Sequence, residues 1–425
     1  MKRILVVGSG AGGTLTANLL ARGLKSEIRR GEVSVDLLGQ QAEHVFQPGY
    51  LDVAFKGRSP RGLAKPEKDL LLREVAFRNE PATKIDLEER AVTLAGGERL
   101  GYDYLVMATG AFADPTLLPG LSEDSFNFHT GLHDSSRTWE ALQRFRAGRV
   151  VIAIAGVPHK CPPSPNEAAF MVDELYRRRG LRDKVELTFV TPYPRAYPAE
   201  TLSKVVAPLF EERGIKVMPL FNAESVDPVA HRLYSLEGES VDYDLLVAVP
   251  PHRGTDVIRD SGFGDEDGWV PADKETMRVK GHDEAFALGD CTNIPISKSG
   301  VVAHLASGVV AENILMDVAG SSESLHYNGR INCPMEMGHH RAMFVSASYA
   351  SPAEEQTPSL MKYLMKRSFS RMYWRTMSGS MEWLMGYYFG KTSTRAERVR
   401  ETAKKAEPAQ QQRPQGPPVQ QPAPG

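Results

Sequence analysis

Cysteine is scarce in this chain. Only Cys161, Cys291 and Cys333 occur in 425 residues, an odd number set far apart. That excludes a secreted disulfide scaffold and leaves each thiol as a small buried residue or a piece of chemistry. No run of about 18 uncharged apolar residues is present, so no transmembrane helix is expected. Net charge is lacking too, at a formal −2, which gives no reason to expect nucleic acid as a partner. Met1-Lys2-Arg3 runs straight into Ile4–Val7 without the longer apolar stretch of a signal peptide, so none is expected. No metal site is expected. Apolar residues at 41% and charged residues at 24% are ordinary for a globular protein, and the length points to two domains plus additions.

The pattern that is present is α/β. Ile4–Val7 reads as a buried strand, Gly8-Ser9-Gly10-Ala11-Gly12-Gly13 as a tight turn, and Thr14 to about Arg22 as a helix. Val33–Leu38 follows at the distance a βαβ unit requires. Gly8 suits the turn, Gly10 lets backbone approach a pyrophosphate, and Gly13 allows close helix–strand packing. The helix N-terminus adds N–H donors for phosphate. The acid that commonly ends the second strand and binds a ribose hydroxyl is missing; Gly39-Gln40 stand there, with Gln40 or Glu43 as substitutes. A hairpin is expected around Gly96-Gly97. A second α/β half begins at Arg149–Ala155, continues through a helix near Asn166–Arg179 and a strand at Val185–Val190, and closes at Tyr243–Pro250. Where a second glycine fingerprint would fall, Gly156-Val157-Pro158-His159-Lys160-Cys161-Pro162-Pro163 stands instead. Prolines remove N–H donors that a phosphate would use, so a nicotinamide site is expected to be lost.

Composition changes after about residue 330. Lys362, Lys366, Arg367, Arg371 and Arg375 lie among Met, Trp and Tyr side chains, with no acid between 356 and 381. This is the composition of an interfacial helix pair over 360–390, with a packed core as the competing reading. From Ala406 onward the chain is Pro, Gln and Gly and is expected to be disordered.

Two further segments resemble known fingerprints. Tyr102–Gly110 looks like the second FAD motif of the pyridine nucleotide-disulfide reductase superfamily, and Phe286–Asp290 looks like its third. The resemblance implies FAD held by Gly8, Gly10, Gly13, Thr109, Gly110 and Asp290. It also implies two Rossmann-like dinucleotide-binding domains plus a C-terminal amphipathic helical segment. The expected division is 1–115 with 280–330 for FAD, 116–279 for the second unit, 331–398 for the redox and membrane segment, and 399–425 for the tail.

The segments His159–Glu167, Gly289–Gly300, Asn332–Gly338 and Met372-Tyr373-Trp374 together resemble sulfide:quinone oxidoreductases, over roughly residues 1–390. The Lys-Cys-Pro-Pro block is the most specific of them. The resemblance implies FAD-dependent oxidation of hydrogen sulfide to polysulfide or sulfur through a Cys161–Cys333 pair, with electrons passed to a membrane quinone. Glu167 matches the family's general base, though a first-turn acid is also favoured by the helix dipole. Lys298 is either a partner for reduced flavin or a surface lysine. Tyr387 and Phe389 fall in the expected quinone pocket, and Cys291 is expected to be a small buried residue. Lys160 beside Cys161 suggests a lowered thiol pKa. No cysteine precedes Cys161, so the family's third cysteine is missing and a thioether to FAD is not expected. A peripheral, monotopic protein on the cytoplasmic face of the cell membrane is implied, with homo-oligomerisation left open. The alternatives are a sulfide dehydrogenase flavoprotein subunit donating to a cytochrome, a type II NADH:quinone reductase, and a non-catalytic flavin-binding regulatory subunit.

Overall fold

The computed structural model describes residues 1–382 and 393–397. Strand β1 (Lys2–Val7) has Ile4, Leu5 and Val6 fully buried, as a parallel strand covered on both faces requires. The chain turns at the glycine loop into helix α1 (Ala11–Gly23) and returns as β2 (Val33–Leu38), parallel to β1. β3 (Val75–Arg78) and β4 (Tyr104–Met107) flank this pair.

The second unit repeats the plan. β5 (Gly148–Ile154), helix α2 (Ser164–Arg178), β6 (Val185–Val190), β7 (Ile215–Met218) and β8 (Leu245–Val249) give a parallel sheet of order β7-β6-β5-β8. Each unit also carries a three-stranded antiparallel meander, over 82–101 in the first and 223–242 in the second. The chain then re-enters the first sheet as β9 (His282–Ala287), beside β4. The full order there is Arg278–Val279, β9, β4, β1, β2, β3. A short antiparallel pair, Phe112-Ala113 with His252-Arg253, ties the two units together.

Helix α3 (Gly300–Val318) is long and apolar enough to cross a membrane, but 67% of it is buried inside the protein. Ser307 Oγ donates to the carbonyl of Gly12 at 3.0 Å, and a Cβ on Gly23 would lie 2.6 Å from Leu315, so α3 is a core helix pressed on α1. The hairpin β10 (Ile331–Glu336) and β11 (Ala342–Ala347) sets Cys333 opposite Val345. Helix α4 (Leu360–Thr376) starts at Ser359, whose Oγ accepts from the backbone N–H of Lys362. Residues 383–390 of the 360–390 stretch, with Tyr387 and Phe389, lie outside the described residues, as does the 399–425 tail.

Candidate active site

The glycine loop does what its spacing implies. Gly8 has φ +111°, and a Cβ there would lie 2.3 Å from the carbonyl oxygen of Ala108. A Cβ on Gly13 would lie 1.8 Å from the carbonyl of Gly8, so the helix–strand contact demands glycine. Gly10 and Gly110 face open space instead, which suits a ligand rather than protein packing. Asp290 presents a buried Oδ1 that has no hydrogen-bond partner among the described residues. A buried acceptor without a donor is costly, and a ribitol hydroxyl would relieve it. Burial also raises the Asp290 carboxyl, against the pull of Lys160 and Lys298. The residues present therefore fit FAD. Gln40 and Glu43 are both exposed, while Gly39 packs against Ser9, where an added Cβ would lie 2.4 Å from Oγ.

The two outer cysteines meet at consecutive residues. The Cys161 N–H donates to the carbonyl of Lys298 at 2.7 Å, and Cys333 Sγ donates to Ser299 Oγ at 3.4 Å. Cys333 also lies within electrostatic reach of Cys161. Cys161 also has φ +53°, a left-handed backbone that a side chain adopts at a cost of roughly 1–2 kcal/mol. Its carbonyl, accepting from Ser164 N at 2.8 Å, helps hold that turn. The expectation of a lowered thiol pKa is overturned. Burial pushes Cys161 up, with Glu167 and Cys333 adding to it, and Cys333 is pushed up to about 11. Lys160 points its ammonium at Gln47 Oε1, 3.3 Å away. Cys291 is fully buried and donates to the carbonyls of Leu288 and Met107, a small core residue.

Lys298 is not a surface lysine. Its ammonium donates to the carbonyls of Asp290 (3.0 Å) and Thr292 (2.7 Å) and lies 3.7 Å from the Trp269 ring centre. It staples the Asp290 turn, and its own carbonyl positions Cys161. Glu167 is 1% exposed in the first turn of α2. Its Oε1 accepts from Lys366 Nζ at 2.5 Å and from the N–H of Glu336 at 2.7 Å. Glu336 in turn contacts Lys366 and Lys56. Burial raises the Glu167 carboxyl against the opposing pull of Lys366.

Several residues at the site escaped the sequence reading. Lys366 stood among the basic residues of 360–390 but is the partner of Glu167. Tyr197, 3% exposed, lies within electrostatic reach of Cys333, Cys161 and Glu167. His129 and His252 join His159 in a buried cluster beside Cys161, with ring centres 5.3–6.3 Å apart. The available signal was position: Cys161, Tyr197 and His252 all follow carboxyl ends of the second parallel sheet, where α/β proteins bind ligands.

The family model for pyridine nucleotide-disulphide oxidoreductase matches residues 2–309. The mitochondrial sulfide:quinone oxidoreductase of Mus musculus is 25% identical over 404 residues, covering 91% of this chain and 87% of the relative. The sulfide-quinone reductase of Aquifex aeolicus is also 25% identical, over 89% of this chain and 92% of its own. The X-ray structure of the Aquifex aeolicus sulfide:quinone oxidoreductase superposes with a TM-score of 0.81 at 23% identity, over 93% of this chain and 97% of that one.

Proposed function

Since the chain belongs to the pyridine nucleotide-disulphide oxidoreductases, we propose that it oxidises hydrogen sulfide at Cys161 and Cys333 and delivers the electrons, by way of FAD, to a membrane quinone. The observation that carries this reading is the convergence of both cysteines on Lys298 and Ser299, with the Lys298 ammonium bound to the Asp290 carbonyl. Gly8, Gly10, Gly13, Thr109, Gly110 and Asp290 would hold the cofactor, which when bound accepts two electrons and passes them to a second acceptor. The relatives named for sulfide and quinone chemistry match nearly the whole chain and support the same substrates.

The chain's own part begins with the oxidised pair, joined directly or through sulfur. Hydrosulfide attacks one sulfur of the bridge and the bridging S–S bond breaks. One cysteine keeps the added sulfur as a persulfide, and the other departs as a thiolate carrying the electron pair. Glu167, buried and basic, would take the proton of hydrogen sulfide, with Lys366 holding the carboxylate in place. Water is excluded around Cys333, which is 5% exposed.

The quinone side is carried by α4. Leu360, Met361 and Leu364 expose 51%, 67% and 51% of their surface, with Arg371 and Arg375 also exposed. Behind them an apolar cavity lined by Val301, Pro334, Phe344, Met365, Phe369 and Met372 leads toward the Cys333 strand. Such a surface suits shallow insertion into an anionic leaflet, which fits the cytoplasmic face of a cell membrane.

The test is substitution of each sulfur. Cys161→Ser and Cys333→Ser each abolish sulfide-dependent quinone reduction while FAD stays bound, because the exchange needs both atoms. Cys291→Ala changes turnover little. Near-normal activity in either serine variant overturns the reading.

A further inference from the structure

Glu167 stands at one end of a chain of alternating charges. Its Oε1 accepts from Lys366 Nζ at 2.5 Å, and Lys366 Nζ also reaches Glu336 Oε2 at 3.4 Å. The other oxygen of Glu336 lies 2.7 Å from Lys56 Nζ, which is itself 3.1 Å from Asp52 Oδ1. The backbone braces the inner end, where the N–H of Glu336 donates to Glu167 Oε1 at 2.7 Å. Both Glu167 and Glu336 are buried. Glu336 and Lys56 nevertheless line a cavity of about 320 Å³, together with Glu174, Arg178 and His340. Arg178 and His340 are exposed, so this cavity opens to solvent, and it has the room and the polar partners that water needs.

We propose that Lys366 and Glu336 carry the proton of hydrogen sulfide from Glu167 to this cavity. The proposal rests on the role of base given to Glu167 above. The Lys366 ammonium gives a proton to Glu336 Oε2, so an N–H bond breaks and an O–H bond forms. The amine left behind takes the proton of the Glu167 carboxyl, which breaks that O–H bond and restores the ammonium. Glu336 then loses its proton to water in the cavity. Glu167 ends as a carboxylate and Lys366 as an ammonium, both ready for the next turnover, and no electron changes hands. Lys366 and Glu336 touch no substrate; they act through Glu167 and are positioning residues.

The charges around Lys366 decide when its proton moves. Burial lowers the Lys366 ammonium, but Glu167, Glu336 and Asp52 more than restore it, so the proton is held at rest. Protonation of Glu167 neutralises the nearest of these carboxylates. The hold on the Lys366 proton therefore weakens just as another proton arrives behind it. Cys161, Cys333 and Tyr197 lie within electrostatic reach of Glu167, while Asp52 links Lys56 to Arg58 and Arg367. Lys366 also lines the apolar cavity beside α4, but apart from Asn332 the other walls there carry no polar side chain. The polar cavity is the one that offers a carboxylate beside Lys366.

The test mixes full-length, FAD-loaded protein with sulfide in a stopped-flow instrument, without quinone, in weakly acidic and lightly buffered solution where hydrogen sulfide predominates. Two signals are followed together: bleaching of the flavin, and proton release read by a pH-indicator dye. In the parent they coincide. Glu336→Gln cannot accept a proton, and Lys366→Arg keeps the positive charge but cannot give its proton up. In both, Glu167 still takes the first proton, and release then trails bleaching by about tenfold or more in rate, whatever the bleaching rate itself becomes. Glu336→Asp, which keeps the charge and is the safer fold, also lags, because its shorter side chain withdraws from a Lys366 contact already at 3.4 Å. A purely structural role slows both signals by the same factor. Synchronous release in Lys366→Arg, or in both Glu336 variants, overturns the proposal, as does a lag in the parent. Failure of the sulfide reading looks different: sulfide bleaches no flavin in the parent, or bleaches Glu167→Gln as fast as the parent, and the proposal falls with it.

Discussion

His252 shows how far burial moves a single group. Its imidazole is held down to about 2, and His129 and His159 are lowered as well, chiefly because burial penalises the charged ring. Below about pH 6.5 an unfolded chain protonates all three, while the fold keeps at least His129 and His252 neutral. Stability is therefore full above that pH and is lost as pH falls, with a slope approaching about 3 kcal/mol per pH unit from those two groups. Urea unfolding should show a midpoint that drops steadily from about pH 6.5 to about pH 5. A flat midpoint over that window would mean the rings are charged or wet in the native state. The same physics explains the failed expectation for Cys161. Adjacency in sequence suggested that Lys160 would ionise the thiol, but desolvation outweighs a cation that reaches away to Gln47.

Helix α4 joins two roles that composition alone presented as rivals. Its inner face is core: Tyr373 OH lies 2.6 Å from His44 Nε2, and His44 and Thr14 both contact the buried Glu67. Thr14 belongs to α1, so this network ties α4 to the glycine-loop helix. Lys366, on the same helix, pairs with Glu167 and Glu336. Removing the chain from Leu360 onward would leave Glu167 buried without its lysine, at a cost of roughly 3–5 kcal/mol, while Glu336 would keep Lys56. Such a truncation tests folding more than membrane binding. Two of the five cations counted from sequence are also engaged inward, Lys366 as described and Arg367 with Asp52 at 3.5 Å. The cleaner experiment replaces the outer residues Leu360, Met361 and Leu364 by serine together. Pelleting with anionic liposomes at low salt should fall sharply and delivery to a long-chain quinone should slow. Flavin reduction by sulfide should be unchanged. Liposome binding equal to the parent's would return this face to an ordinary surface.

At the scale of the whole molecule, one α/β plan is used twice with different outcomes. The first unit opens α1 with glycines and leaves space at Gly10. The second opens α2 behind Pro163 and Pro165, with Glu167 in the first turn. Those prolines cannot donate to phosphate, and a buried carboxylate at the helix start repels one. Purified protein should therefore carry FAD that NADH does not bleach, whereas sulfide bleaches it. Rapid reduction by NADH in a stopped-flow spectrophotometer would contradict this assignment of the second unit.

The parallel strands, the glycine loop and the order of the fingerprints could be read along the chain. Those features are local: a strand buried on both faces needs a continuous apolar run, and a tight turn needs Gly8 and Gly13 whatever surrounds them. Val33–Leu38 and Val185–Val190 were legible to the residue. Cys161 and Cys333 also stood out, through the distinctive residues beside them. What faces those sulfurs depends on how distant segments pack together. His129, Tyr197, His252 and Lys366 come from four separate segments of the chain, and nothing in their local spacing distinguishes a site residue from a core or surface one. Charge states followed the same division, because desolvation depends on what the whole fold packs around a group and not on its neighbours in the chain.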